Sequence, residues 1–348
     1  MTVADRTNSR RRRRVTRPGP AGAGPVTGVV GLGRVRRVAG WAAVAAAGIY
    51  VVLKVLWICG SSVGISDLGG VSRSQWVVDN VITGALGVIG MIAGLATVRP
   101  WGTRLPVWLL GVPMWVGAGL LAPFVVLVPA TGIFFALGWW SPTPPAVDRA
   151  EPVLRPWIFL IVYGSFIVLG VALAIALACY ARDRFGPLVR GTVAEGGVGA
   201  THGVQVPLAW LAGALAAGLV ILRLYWALGG TAGLAVEPRA GWLRFGDTVT
   251  ALQVALGAAG LLGMVHRWPT RVRFVVPLAA VWLGAGGMVG AGFLAMPSIL
   301  SGDRWAPQGL TFAVHAYGTF GTVLVGSLVS VLTLVILAER KASPGVDP

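Results

Sequence analysis

The sequence predicts an all-α integral membrane protein with eight transmembrane helices, arranged as two parallel (same-orientation) four-helix repeats. Three observations carry this expectation. Hydrophobic residues make up 56% of the chain and charged residues 11%, and the mean hydropathy is +0.79, outside the range of soluble globular domains. Eight apolar runs are long enough to cross a hydrocarbon core of about 30 Å, which takes roughly 20 helical residues each, and the alternating pattern of a membrane barrel is absent. Ordered landmarks also occur twice. Lys54, Trp57, Gly60 and Gly64 return as Arg223, Trp226, Gly229 and Gly233, and Asp79 returns as Asp247. Trp101-x-Thr103-Arg104 returns as Trp268-x-Thr270-Arg271, Trp115-x-Gly117-x-Gly119 as Trp282-x-Gly284-x-Gly286, and Tyr163-Gly164-Ser165-Phe166 as Tyr317-Gly318-Thr319-Phe320. Four crossings return the chain to its starting side, so the two copies insert with the same orientation.

Along the chain, residues 1–38 combine Arg, Pro and Gly with little apolar content and read as a disordered, basic cytoplasmic tail. The first repeat occupies 39–185, with spans near 39–60, 78–98, 105–128 and 156–181. Residues 186–206, with Gly196, Gly197, Gly199 and Gly203, form a flexible cytoplasmic linker. The second repeat occupies 207–340, with spans near 207–229, 247–265, 274–296 and 311–338, and residues 341–348 form a C-terminal tail. The outer loop 139–155 carries Pro142, Pro144 and Pro145 and reads as stiff and extended. Trp41, Trp76, Trp101, Trp139, Trp140, Trp157, Trp242, Trp268 and Trp305 stand at span ends, where interfacial belts form. Glycines within the spans, such as Gly84, Gly87, Gly90, Gly94 and the Gly284 to Gly292 series, read as close-packing positions.

The net charge of +16 is concentrated rather than spread. Ten arginines and one acid precede the first span. With the N-terminus inside, the remaining inner segments hold ten basic residues against four acids, and the outer loops six against seven. That bias follows the positive-inside rule and predicts a multi-pass protein of a bacterial plasma membrane with both termini cytoplasmic. Arg10 to Arg14 then face lipid headgroups, so the expected partner is the bilayer and no nucleic acid is implied. Arginine outnumbers lysine 26 to 2 beside abundant Ala, Gly and Val, which suggests GC-rich coding.

Several chemistries lack their residues. Three histidines and two cysteines fall apart from one another, so neither a metal-ligand set nor a CxxC pair is present, and no cofactor is expected. Gly28-x-x-Gly31-x-Gly33 has no strand before it and is not a phosphate loop. The strongest chemical signal is a cation inside the first span of each repeat, Lys54 and Arg223, roughly six residues or about 9 Å from the outer helix end. Asp79 and Asp247 enter the second spans from the same side, so Lys54–Asp79 and Arg223–Asp247 pairs are expected, against the alternatives of snorkelling cations and capping acids. Gln253 and His315 replace Ala85 and Ile161 of the first repeat. With Arg223, Asp247 and Tyr317 they define a candidate polar cluster in the outer half of repeat two. His315 there is a general base, a proton carrier or a hydrogen-bond donor, or else a satisfied packing residue.

The stretch Leu222-Arg223-Leu224-Tyr225-Trp226-Ala227-Leu228-Gly229-Gly230-Thr231-Ala232-Gly233, followed by Pro238, resembles the signature of a family of small bacterial four-helix membrane proteins of unknown function. In that family a Tyr-Trp-Ala-Leu-Gly-Gly stretch closes the first helix and a polar residue, often His, precedes it; here that position holds Arg223. Leu56-Trp57-Ile58-Cys59-Gly60-Ser61 of repeat one shares the Trp and the first Gly. The resemblance implies a four-span unit and supplies no activity. Three functions fit the sequence: binding or transport of a small amphiphilic or lipidic molecule held between the repeats near Lys54, Arg223, Asp79 and Asp247; a membrane enzyme acting on a hydrophobic substrate through His315 or Asp247; and an accessory or structural membrane subunit.

Overall fold

The structure is a computed structural model that describes residues 27–68, 71–140, 153–195, 198–234, 240–300 and 310–342. Residues 1–26 of the expected tail, 141–152 of the Pro-rich loop, Trp305 and 343–348 lie outside the described residues. Eight helices follow one another: α1 (Thr27–Ile58), α2 (Arg73–Val98), α3 (Val107–Ala136), α4 (Pro156–Val189), α5 (His202–Ala227), α6 (Gly241–His266), α7 (Val275–Leu300) and α8 (Phe312–Ala342). Each contains a segment long and apolar enough to cross a membrane. One short antiparallel pair, β1 (Ile65–Asp67) with β2 (Val153–Leu154), ties the α1–α2 connection to the start of α4. Backbone polar groups in hydrocarbon must be satisfied within each segment, which is why helices alone make the crossings.

Two boundaries differ from expectation. Helix α1 begins at Thr27 and takes in residues 27–38, which composition assigned to the tail. Side-chain anchors hold this end: Arg36 bonds Asp183 of α4 at 2.9 Å, and Arg99 lies 5.6 Å from the Trp41 ring. The segment between the halves is also shorter and better held than a flexible linker. α4 runs to Val189 with a break in helical dihedrals at Phe185, just before Gly186 and Pro187, and α5 starts at His202. Between them, the Val193 N–H donates to the Val272 carbonyl and the Phe274 N–H to the Gly191 carbonyl, at 2.9 and 3.0 Å.

Packing separates the chain into two halves. α1 packs on α2 and α4, and α3 on α4; in the second half α5 packs on α6 and α8, and α7 on α6 and α8. The halves meet mainly through α3 against α7. Glycines allow that approach, since a Cβ on Gly119 would overlap the backbone of Gly286 and Gly287. The Trp115 indole donates to the Trp282 carbonyl at 2.9 Å across the same seam. Each half encloses its own core, around Met114 and Leu173 in the first and Leu261, Met288 and Val329 in the second. Trp41, Trp101, Trp139, Trp157, Trp242 and Trp268 are exposed, as an interfacial belt requires. Trp76 is not: only 6% exposed, it packs with Leu53, Trp57 and Ile158.

The turn that closes α1 is rebuilt, bond for bond, at the end of α5. The Gly60 N–H donates to the Trp57 carbonyl and the Ser61 N–H to Leu56; in α5 Gly229 donates to Trp226 and Gly230 to Tyr225. Gly60 and Gly229 both adopt φ 99°, the left-handed conformation that terminates a helix and favours glycine. The indoles of Trp57 and Trp226 then donate to carbonyls six residues ahead, Val63 at 2.9 Å and Ala232 at 3.0 Å. Arg73 and Arg244 reach back from α2 and α6 to the last carbonyls of α1 and α5.

Candidate functional site

The two intramembrane cations lie four residues before the ends of their helices, at Ile58 and Ala227, or about 6 Å at helical rise. They are shallower than the sequence suggested, because the helices end in the glycine turns and do not run on through them. The acids Asp79 and Asp247 each lie six residues into the following helix, α2 or α6, at the same depth.

In the second half the expected pair forms. Arg223 Nη1 bonds Asp247 Oδ1 at 2.9 Å; the carboxylate is 2% exposed and the Arg side chain 31%. The guanidinium carbon stands 5.6 Å from the Trp226 ring. His315 of α8 is buried and close enough to feel the Arg223 charge.

In the first half the expected pair does not form. Lys54 Nζ donates instead to the neutral Asn80 Oδ1 at 2.8 Å and lies 5.0 Å from the centroids of both the Tyr50 and Trp57 rings. Asn80, 1% exposed, is oriented by its own Nδ2 bond to the Trp76 carbonyl at 2.7 Å. Among the described residues the ion pairs are Arg36–Asp183 and Arg223–Asp247. Asp79 is the next residue along α2, about 100° around the helix from Asn80, and its Oδ1 is buried without a protein hydrogen bond. Asp247 stands 167 positions after Asn80, the separation also shared by Trp101 and Trp268 and by Trp115 and Trp282; from Asp79 it is 168. Where the second half sets Asp247 against its cation, the first half sets Asn80.

Gln253 and Tyr317 do not join the Arg223 cluster. Gln253 Nε2 donates to the Gly119 carbonyl at 2.7 Å and the Leu283 carbonyl at 3.0 Å, which makes it a bridge from α6 to α3 and α7 at the seam. Tyr317 is 48% exposed, with its hydroxyl over Gly218 of α5. The counterpart of His315 also changes. Ile158 meets Gly64 as Val314 meets Gly233, and Gly170 meets Leu121 as Gly326 meets Met288. Both pairs on α4 and α8 are 156 positions apart, which puts Phe159, and not Ile161, in the place of His315.

A second polar centre at the opposite end of α8 was not singled out in the sequence. Glu339 accepts from the Thr201 N–H at 2.8 Å, the Thr201 hydroxyl at 2.9 Å and Gln205 Nε2 at 2.7 Å, so its carboxylate caps the start of α5. Arg340 donates to the Leu188 and Arg190 carbonyls at 3.0 and 2.8 Å and covers the Phe274 ring. The adjoining cavity of about 40 Å³ has room for only one or two waters, which makes this a structural clasp. A larger groove, about 350 Å³ and almost wholly apolar, lies between α1 and α4 along Ala42, Ala46, Ile49, Ile161, Gly164 and Val168. Among the described residues no group of three or more His, Cys, Asp or Glu side chains could hold a metal ion.

Comparisons with protein-family models, with curated proteins and with solved structures return no match to this chain.

Proposed function

We propose that this chain is a duplicated eight-span protein of a bacterial plasma membrane, with both termini cytoplasmic, that binds or transports a small amphiphilic or lipidic molecule. The duplication is supported by the paired glycine turns and their indole bonds, and the family resemblance at Arg223 to Gly233 accords with a four-span unit. The orientation rests on the charge bias of the loops.

One observation carries the ligand class. Lys54 is a cation at membrane depth whose hydrogen-bond partner is a neutral amide. The helix that bears it also walls the 350 Å³ apolar groove, whose α1 lining ends at Ile49. Five residues, about 7.5 Å of rise and roughly 140° of rotation about α1, separate the two. A polar group on the α2 side of α1 and an apolar trough on its α4 side are the two chemistries that a molecule with a head and a tail would use. The two cations sit on helices that pack in different halves, α1 with α2 and α4, α5 with α6 and α8, so the proposed site lies within the first half and not between the repeats.

Mass spectrometry of the purified chain in mild detergent tests this. A retained amphiphile is expected, with its occupancy reduced about tenfold by Lys54→Gln, the scale of one charge-assisted hydrogen bond. If no amphiphile is retained, and Lys54→Gln and Arg223→Gln alter only thermal stability, the reading is wrong.

A further inference from the structure

The two cation sites differ in how completely they are satisfied, and that difference points to what the first one holds. In the second half the cation and the acid neutralise each other. Gly246, the residue before Asp247, carries no side chain and has open space around it. In the first half that residue is an acid, Asp79, and the acceptor facing the cation is Asn80. The first half therefore keeps a cation and a carboxylate that make no contact ion pair, although each lies within the other's field. Asp79 Oδ1 and, one turn earlier on α2, Trp76 Nε1 are buried without protein partners. Buried polar atoms are nearly always hydrogen-bonded, so two such atoms on one turn beside a lysine call for a bonding group from outside the chain. Lys54 and Asp79 are both partly exposed, at the edge where α1 and α2 present Val55, Val78 and Ile82 outward, so a lipid-side molecule reaches them.

We infer that Lys54, Asp79 and Asn80 form a headgroup site for a zwitterion that carries an anionic group and a primary ammonium, the anion on Lys54 and the ammonium on Asp79. A carboxylate without protein donors suits a primary ammonium, which brings three N–H groups. A quaternary ammonium brings none, and an anionic head without nitrogen would meet Asp79 as a like charge. Asn80 holds Lys54 in position without neutralising it. This inference rests on the amphiphile reading above and names its headgroup. A phosphate ester of ethanolamine has this chemistry, either as a lipid headgroup or as the free water-soluble molecule.

The test uses the full chain in nanodiscs of phosphatidylethanolamine, phosphatidylglycerol or phosphatidylcholine, with native mass spectrometry of bound lipid and thermal unfolding as readouts. Free phosphoethanolamine is added in a separate arm. About tenfold preferential retention of phosphatidylethanolamine over both other lipids is expected. Asp79→Asn should abolish the preference and Arg223→Gln should leave it. Stabilisation by free phosphoethanolamine in phosphatidylcholine discs would assign the site to the soluble molecule; its absence, with the lipid preference present, assigns it to the lipid. The preference in the unsubstituted protein is decisive even if Asp79→Asn fails to fold. Equal retention of all three lipids without an effect of phosphoethanolamine, or an Asp79→Asn chain that keeps its preference, overturns the inference while leaving the amphiphile reading intact. Retention of no lipid in any disc, with no response to phosphoethanolamine, removes both.

Discussion

At the scale of single residues, the membrane makes the choice of hydrogen-bond partner decisive. Asp247 is 2% exposed and pairs with Arg223 at 2.9 Å. Removing the cation leaves an uncompensated buried charge, whereas removing both charges leaves an apolar site. Arg223→Met should therefore lower stability by about 2–3 kcal/mol, discounted from a fully buried pair because the Arg side chain is partly exposed. The double variant with Asp247→Leu should recover most of that loss. Thermal unfolding of the two single variants and the double variant in detergent closes the cycle; additive losses would show that the pair is not coupled. Lys54 differs because its acceptor is neutral and two rings share its charge. Its position in the membrane depends less on any one neighbour.

At the scale of elements, each half begins with the same device: a helix closed by a left-handed glycine, an indole bonded over the turn, and an arginine from the next helix on the exposed carbonyls. The device ends the first helix and places the cation four residues before that end. Because Gly60 and Gly229 adopt φ 99°, alanine is strained at either position by about 1–2 kcal/mol. Gly229→Ala should lower the unfolding temperature, while Gly48→Ala, a helical glycine with open space around it, should leave it level or raise it. Equal effects of the two substitutions, measured side by side, would contradict the role assigned to the turn.

At the scale of the whole molecule, two cores are joined by a glycine seam and by a short connection held at both ends. The seam is close because Gly119, Gly286 and Gly287 present backbone to backbone, and Trp115 and Gln253 add bonds across it. Each half has its own buried cluster. Two chains divided between residues 196 and 197 and expressed together should therefore associate in the membrane and purify as a complex. Gly119→Leu on the first chain should abolish the complex while both pieces still insert, because the added side chain meets backbone that cannot yield. Co-purification that survives Gly119→Leu would mean that contacts such as α4 with α8 hold the halves together.

The eight crossings and their order were legible in the sequence because bilayer thickness is a one-dimensional constraint, and a run of Leu, Val, Ala and Gly either spans it or does not. The landmarks Trp57, Gly60, Trp226 and Gly229 were legible for a similar reason: a helix-ending turn depends on local conformation. The partners of the polar residues were not. A shift of one position turns a side chain about 100° around its helix, and that turn separates Asn80, which bonds Lys54, from Asp79, which does not. Gln253 and Tyr317 went to the seam and the outer face for the same reason, since which side of α6 or α8 meets a neighbour is settled by where glycines let helices approach. Glu339 read as one charge in a basic inner tail until folding brought Thr201 and Gln205 to it. Sequence alone determined how many helices are long and apolar enough to cross a membrane and what each could carry; only tertiary packing decided which charges meet, because that depends on rotation about the helix axis, a coordinate that hydropathy does not contain.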